Sequence, residues 1–352
     1  MSDAHPIKPE NRRIGGFLPL ELPLMQPARS AWQAISTSDN PILTGPTARH
    51  VLAQLLRDAP VGRIWFPAYC CPEMELAPDG IDIRFYPVGR SLQPDSVWLA
   101  EKLQSGDAVL GIDYFGQSPD AAFRALVTAR PDIFWIEDCA QALAPDAPWG
   151  DWQIFSPRKL FGVADGGVAR CLNPKRALPA PPPCPAEQRF SEMQALAPLL
   201  WRLEDQDEMQ NETWYAAFKQ AEAASATPAR DDISALSTRL LRAIDADQVA
   251  ARRLANARAL FDLLPEELWF WQTAPVAPPL GVPILLPNRD DIATKLAQQG
   301  LFCAVHWRNQ PAPAAEFSQE HALSDHLLTL PCDQRYTPDD MQHVARLLRT
   351  AL

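Results

Sequence analysis

The sequence predicts an α/β protein built on a mainly parallel β-sheet, and two observations support this fold class. Short apolar runs alternate with amphipathic stretches between about residues 44 and 172, the rhythm of strands joined by crossover helices. The helix candidates carry apolar residues at three- and four-residue steps, as at 48–56, or separate two strands, as at Ser96–Leu103 and Pro119–Ala129. The strand candidates are Arg63–Phe66, Ile81–Val88, Ala108–Phe115, Ile133–Glu137, Trp152–Phe155 and Gly167–Leu172.

The chain of 352 residues is long enough for about two domains, at ~150 residues per domain. The segment 179–185, which reads PAPPPCP, predicts an extended surface connection, because proline fits neither a helix interior nor a central strand. Residues 186–224 are predicted to be helical, and one long helix is predicted near 232–264. We therefore expect a large domain over 1–232 and a smaller C-terminal α+β domain over 233–352.

Three elements are predicted in the C-terminal part. Val282–Leu286 has the pattern of a buried strand, and a helix is expected to begin at Asn288 and to end before Gly300. The last helix is expected to begin at Thr337, which is followed by proline and two aspartates, all favourable at a helix start.

Composition and charge exclude several classes of protein. The formal net charge of −11 argues against a nucleic-acid or anionic-membrane partner, and no long apolar run predicts a membrane span. The seven cysteines include no C-x-x-C pair, so we expect reduced thiols in a cytoplasmic protein. No metal site is expected, because His321 and His326 are five residues apart and do not share a helix face. The glycine patterns of dinucleotide-binding and P-loop proteins are missing, which disfavours a nicotinamide oxidoreductase.

Two neighbouring segments carry residues suited to chemistry, FWIEDCAQAL at 134–143 and DWQIFSPRKLFGVADGGVA at 151–169. Asp138 ends a strongly apolar strand, where open parallel sheets bind their ligands, although it can equally cap the next helix. Lys159 lies between two apolar segments and is either a surface residue or a partly desolvated, nucleophilic amine. A carboxylate and a semi-buried lysine are the two groups that pyridoxal phosphate needs.

These segments resemble the DegT/DnrJ/StrS family of pyridoxal-phosphate-dependent aminotransferases, mostly sugar-nucleotide enzymes. The family pattern I-E-D-x-A-Q-A is matched at 136–142, and the serine–lysine segment with its glycine pair is matched at 155–159 and 165–167. Weaker matches follow in order along the chain: IGGFLPLEL (14–22), TGPTA (44–48), FPAYCCPEM (66–74), AVHW (304–307) and LPCDQRYTPDDMQHVARLL (330–348). The resemblance implies the aspartate-aminotransferase-like fold, type I, with a seven-stranded-type sheet, and a homodimer.

The resemblance also implies roles for individual residues. Lys159 would form the Schiff base with the cofactor and move the proton, and Asp138 would pair with the pyridine nitrogen. Gln141 would lie near the phenolic oxygen of the ring. Ser156 would bind the phosphate together with a helix start at Gly45–Thr47, where unpaired N–H groups attract a dianion. His306 and Trp307 match an element that reaches the substrate, although strand-end packing explains them equally well.

Two positions depart from the family pattern around the cofactor. Pro46 stands where the family offers a backbone N–H to the phosphate, so Thr47 must compensate for the lost donor. Cys71 aligns with an aromatic residue that stacks on the cofactor, and Tyr69 or Tyr114 is a candidate to replace that ring.

The expected activity is transfer of an amino group from an amino acid, glutamate by preference, to a keto group of a small-molecule acceptor such as a nucleotide-linked sugar. Two alternatives remain open. Some relatives remove a sugar hydroxyl, but they carry histidine in place of the lysine, and Lys159 is present here. The departures at Pro46 and Cys71 also suit a binding or regulatory protein that has lost catalysis.

Overall fold

The computed structural model describes residues 14–23, 27–36, 40–76, 80–143, 145, 147–178, 191–205, 211–224 and 232–352. The predicted proline-rich connection at 179–185 lies outside these residues, as do parts of the helical stretch predicted at 186–224. Among the described helices, none combines the length and the apolar character that crossing a membrane requires.

Among the described residues, seven strands form the main sheet and four more form two small sheets. The strands in chain order are β1 (Ile14–Gly15), β2 (Ile42–Gly45), β3 (Arg63–Pro67), β4 (Asp82–Tyr86), β5 (Ala108–Ile112), β6 (Phe134–Asp138), β7 (Trp152–Phe155), β8 (Gly167–Cys171), β9 (Val282–Leu285), β10 (Leu301–Phe302) and β11 (Leu327–Leu330).

The main sheet has the strand order β2-β8-β7-β6-β5-β3-β4. Strands β7, β6, β5, β3 and β4 run parallel to one another, whereas β8 pairs antiparallel with both β7 and β2. Every residue of β5 and β6 is buried, as in a parallel sheet with both faces covered. The predicted α/β class with a mainly parallel sheet is confirmed.

The helices of the described residues cover this sheet and form the C-terminal part. They are α1 (Ala31–Ile35), α2 (Ala48–Asp58), α3 (Ser96–Lys102), α4 (Ala121–Ala129), α5 (Pro157–Leu160), α6 (Ser191–Glu204), α7 (Asn211–Ala224), α8 (Ala235–Ala243), α9 (Ala246–Leu263), α10 (Arg289–Gln298), α11 (Ser318–His326) and α12 (Pro338–Ala351).

The start of the last helix agrees with its sequence signals. Thr337 caps α12 and accepts a hydrogen bond from the N–H of Asp340, whose carboxylate accepts one from the N–H of Thr337 in return. Gly300 follows α10 with a φ of 83°, the left-handed conformation expected just after a helix.

The structure corrects the predicted long helix near 232–264. Two helices, α8 and α9, occupy this stretch and are separated by Ile244 and Asp245. Asp245 caps α9 through its carboxylate, and the carbonyl oxygen of Ile244 accepts a hydrogen bond from the N–H of Ala31. This contact with a distant part of the chain lies at the break between the two helices.

Two further predictions were wrong in their boundaries. The strand predicted at Ala108–Phe115 ends at Ile112, because Phe115 adopts a φ of 53° in a 3₁₀ turn. Gly45 is the last residue of β2 and pairs with Gly167, so it is not part of a helix start. Helix α2 begins only at Ala48, after Pro46 and the capping residue Thr47.

The C-terminal part has its own apolar core. Its small sheet pairs β9 with β11 antiparallel, and helices α9, α10 and α12 pack there through leucine, isoleucine and valine side chains. Strand β1 joins this core, because it pairs in parallel with β10 and buries Ile14. The domain boundary at residue 232 stays a prediction.

The start of α2 lies directly against the start of β8. A Cβ atom on Gly167 would stand 2.2 Å from the backbone carbon and oxygen of Thr47, far inside van der Waals contact. A hydrogen bond between the adjacent residues also holds the two segments together: the N–H of Gly166 donates to the carbonyl oxygen of Pro46 at 2.6 Å. Glycine at 167 therefore permits the backbone of β8 to reach the first turn of α2.

We expect Gly167→Ala to lower the free energy of unfolding by about 1–3 kcal/mol or more, because the added methyl group must push β8 and α2 apart. Urea denaturation followed by circular dichroism measures this. Gly62→Ala is the matched control, since no atom lies within 4 Å of its Cβ position, and it should change stability by less than about 0.5 kcal/mol. Equal stability of the two variants would contradict the close approach.

Candidate active site

One cleft lies at the carboxyl ends of the parallel strands and encloses about 670 Å³, part of it open to solvent. The strands β5, β6 and β7 contribute their last residues or the residues that follow them. Seven of the residues singled out in the sequence line this cleft: Thr47, Cys71, Asp138, Gln141, Ser156, Lys159 and Trp307.

Asp138 is the last residue of β6 and is 8% exposed. Its Oδ1 atom accepts a hydrogen bond from the N–H of Ala140 at 2.8 Å. Burial raises the pKa of this carboxyl group, while the positive charge of Lys159 and the Ala140 hydrogen bond oppose that rise. Asp138 and Lys159 therefore act on each other across the same cleft.

Lys159 projects from the four-residue helix α5, which follows β7 directly. Within the described part of the chain, its side-chain amine has no hydrogen bond and no ion pair, although it lines a cleft with a buried carboxylate. Leu160, which follows Lys159, is held by two side chains of the C-terminal part. Arg253 Nη2 donates to the carbonyl oxygen of Leu160 at 3.1 Å, and Gln334 Nε2 donates to the same oxygen at 2.9 Å. Arg253 Nη1 also donates to the carbonyl oxygen of Leu280 at 3.2 Å.

Of the two polar atoms of the Gln141 side chain, one makes a hydrogen bond within the described residues and the other makes none. Its Oε1 atom accepts a hydrogen bond from the N–H of Phe115 at 2.7 Å, which helps to hold Phe115 in its left-handed conformation. Its Nε2 atom is buried without a hydrogen-bond partner. An unpartnered amide donor that lines a cleft is typical of a group awaiting a ligand acceptor.

The part of the cleft that is lined by the start of α2 is suited to an anion. Ala48 and Arg49 form the first turn of α2 and line the cleft, so backbone N–H groups at the positive end of a helix dipole face it. Ser156 is buried and makes no capping hydrogen bond to α5. The hydroxyl of Thr47 is already used, because it caps α2 and bonds His50 Nδ1 at 2.8 Å.

Among the candidate site residues of the sequence analysis, Gly45, Tyr69, Tyr114 and His306 do not line the cleft. Gly45 is buried in β2, and Tyr114 is buried behind the cleft, where its hydroxyl donates to the carbonyl oxygen of Tyr69. The hydroxyl of Tyr69 likewise donates a hydrogen bond to the carbonyl oxygen of His306. The structure thus brings neither candidate tyrosine to the cleft, and Trp307 is the aromatic side chain among its lining residues.

His306 packs beside the cleft. Its Nδ1 atom bonds the hydroxyl of Thr329 at 2.9 Å, and its ring meets that of Phe115 edge to face. Burial and the positive charge of Lys159 lower the pKa of His306 to about 3. The imidazole is therefore neutral at physiological pH and serves as a hydrogen-bonding and packing group.

Sequence reasoning missed several charged residues at the cleft. Arg49 and Glu73 line it as an ion pair at 2.9 Å, and Arg158 lines it next to Lys159. Arg158 was visible in the serine–lysine segment, but its partner Glu222 on α7 is 64 residues away and has no local sequence signal.

A separate cluster of two carboxyl groups and a thiol lies where β5 and β6 end. The side chains of Asp113, Glu137 and Cys139 bring their oxygen and sulfur atoms within 4.8 Å of one another, an arrangement that the sequence did not indicate. Trp149 donates to both carboxylates, through Nε1 to Asp113 and through its backbone N–H to Glu137. Burial, together with the charge of Glu137, raises the pKa of Asp113 well above its usual range, which favours the neutral acid.

Comparison with solved structures shows proteins of the same fold. A Streptococcus pneumoniae protein, described as a sugar aminotransferase and solved in a PMP form, superposes with a TM-score of 0.65 at 14% identity, covering 97% of this chain and 98% of its own. DesV of S. venezuelae, solved with a ketimine intermediate, gives 0.63 at 17% identity, covering 91% and 86% of the two chains. A DegT DnrJ EryC1 StrS aminotransferase from Brucella abortus gives 0.59 at 16% identity, covering 88% and 85%.

At these identities the likeness establishes the fold, and the expected aspartate-aminotransferase-like architecture agrees with it. No protein-family model matches the chain, and no curated protein has a matching sequence. The chain therefore has the fold of the sugar aminotransferases over nearly its whole length.

We expect iodoacetamide to alkylate Cys71 only at a pH above the ordinary range for thiols, because burial raises the pKa of Cys71 while the charge of Lys159 opposes the rise. Lys159→Met should raise this pKa further and move the labelling profile to higher pH, as measured by peptide mass spectrometry. Lys102→Met, on the remote helix α3, should leave the profile unchanged. A profile for Lys159→Met that coincides with the wild-type profile would show that the two groups do not interact.

Proposed function

We propose that this chain is a pyridoxal-phosphate-dependent aminotransferase of the DegT/DnrJ/StrS family. The observation that carries the proposal is the meeting of Asp138, Gln141 and Lys159 in one cleft at the carboxyl end of the sheet. The resemblance assigns each of these residues to the cofactor, and their meeting in one cleft supports that assignment.

The residues of the cleft fit the cofactor chemically. The unpartnered Nε2 atom of Gln141 suits the phenolic oxygen of the pyridine ring. The buried carboxylate of Asp138 suits the ring nitrogen, and the hydroxyl of Ser156 with the first turn of α2 suits the phosphate. When bound, pyridoxal phosphate supplies an electron sink that allows an amino group to leave one carbon skeleton and join another.

Asp138 keeps the ring nitrogen protonated in this proposal. A carboxylate that is shielded from water binds a cationic partner strongly, because little solvent competes for the charge. The hydrogen bond from Ala140 orients one oxygen of Asp138 and leaves the carboxylate anchored at the strand end.

Lys159 binds the cofactor and then moves a proton. Its Nζ atom is free to bond the aldehyde carbon, since no described residue holds it. With the cofactor bound, the same amine would accept and return the proton that amino-group transfer requires. The hydrogen bonds to the carbonyl oxygen of Leu160 keep its backbone in place during this exchange.

The substrate class comes from the similar structures. The Streptococcus pneumoniae protein is described as a sugar aminotransferase, which supports a keto group on a nucleotide-linked sugar as the acceptor and an amino acid, glutamate by preference, as the donor. His306 and Trp307 are assigned to the substrate side. A homodimer in the cytoplasm completes the proposal.

We expect wild-type protein incubated with pyridoxal phosphate to gain a visible absorbance band. Borohydride should remove this band and leave the reduced cofactor on the peptide that contains Lys159, as detected by mass spectrometry. Lys159→Ala should form neither the band nor the adduct, whereas Lys175→Ala, an exposed lysine, should behave like the wild type. Adduct at another lysine with none at Lys159 would overturn the assignment.

The holoenzyme should convert glutamate to 2-oxoglutarate with loss of the visible band, and a keto sugar nucleotide should restore the band. We expect Asp138→Asn to slow the glutamate half-reaction by about 100-fold or more, because a neutral amide cannot hold the ring nitrogen protonated. Stopped-flow absorbance measures the rate. Coloured protein that reacts with no amino donor would favour the alternative of a binding protein that has lost catalysis.

A further inference from the structure

Arg158 is held by a carboxylate from a distant helix. Its Nη2 atom donates to Glu222 Oε2 at 3.0 Å, and Nη1 pairs with Oε1, so the contact is bidentate. Glu222 belongs to α7, whereas Arg158 belongs to the short helix that carries Lys159. Both side chains are largely shielded, with exposures of 17% for Arg158 and 33% for Glu222.

The carboxylate of Glu222 lies among positive charges. Although burial favours its neutral form, the charges of Arg158, Arg49 and Lys159 together lower the pKa of Glu222. Arg49 itself lines the cleft with only 7% of its side chain exposed. Two ion pairs, Arg158 with Glu222 and Arg49 with Glu73, therefore lie at the cleft together with Lys159, so an incoming anion would compete with a carboxylate for each guanidinium.

The same end of the cleft lacks two donors that a phosphate group would use. Pro46 has no N–H, and the hydroxyl of Thr47 is engaged with His50. Arg158 lines the cleft beside Ser156, and a smaller adjoining cavity is lined by Pro46, Thr47, Arg158 and Glu222. The Nε atom of Arg158 is buried without a hydrogen-bond partner, so this guanidinium has an unused donor.

We propose that Arg158 binds the phosphate group of the ligand in this cleft, and that Glu222 competes with that phosphate for the guanidinium. The identity of the ligand as pyridoxal phosphate rests on the proposed function. A planar guanidinium matches the oxygens of a phosphate as well as those of a carboxylate, and a dianion is the stronger partner. Phosphate binding would then release Glu222 and loosen the attachment of α7 to the cleft.

The test compares pyridoxal phosphate with pyridoxal, which lacks the phosphate group, and measures dissociation constants by the visible absorbance of the bound compound. For Arg158→Met, we expect pyridoxal phosphate to bind about tenfold or more weakly, while the constant for pyridoxal changes less than about twofold. For Glu222→Gln, we expect pyridoxal phosphate to bind several-fold more tightly, with pyridoxal again unchanged. Glu212→Gln on the same helix is the matched control and should match the wild type.

If Arg158→Met weakened the binding of both compounds equally, Arg158 would have a merely structural role. If Glu222→Gln weakened the binding of pyridoxal phosphate, Glu222 would position Arg158 instead of competing for it.

A second experiment uses inorganic phosphate and thermal unfolding. Phosphate should raise the melting temperature of the wild type, raise it more for Glu222→Gln and leave Arg158→Met unaffected. If pyridoxal phosphate never attaches to Lys159 while this pattern holds, the proposed function fails and the phosphate site stands; a flat response in all variants overturns the site.

Discussion

The attraction between a buried carboxylate and a lysine across one cleft is the interaction on which the rest of the site depends. Asp138 is buried at the end of β6, where its charge is costly, and the nearby charge of Lys159 reduces that cost. The sheet order makes the pair possible, because β7 lies beside β6 and passes directly into the helix that carries Lys159. Two carbonyl contacts at Leu160 then keep this short helix from shifting.

Local sequence signals predicted both the fold class and the centre of the site. The apolar runs became strands because a parallel sheet with two covered faces buries every residue, and β5 and β6 show this without exception. Asp138, Gln141 and Lys159 lie within 22 residues of one another in the sequence, so a local pattern could place all three in the cleft. The helix start at Thr337 was equally local.

The remaining features depend on contacts between distant parts of the chain. Glu222 reaches Arg158 from a helix whose own sequence shows only an amphipathic pattern, and a hydrogen bond from Ala31 lies at the break before Asp245. Gly45 was placed in a helix start because TGPTA at 44–48 resembles the phosphate-binding helix start of the family, yet Gly45 pairs with Gly167 as the last residue of β2. Tyr114 was a candidate to stack on the cofactor ring, but its side chain does not line the cleft and its hydroxyl donates to the carbonyl oxygen of Tyr69.

Arg253 has a consequence for how the chain tolerates recombination. Its guanidinium is buried, reaches from α9 to the carbonyl oxygens of Leu160 and Leu280, and has carbonyl dipoles as acceptors at both ends. A chimaera that joined the first half of this protein to the second half of a related one would remove the Arg253 hydrogen bond to the carbonyl oxygen of Leu160 unless the incoming α9 brought an arginine to the same place. Crossover points between Leu160 and α9 therefore preserve this contact only between parents that share the arginine.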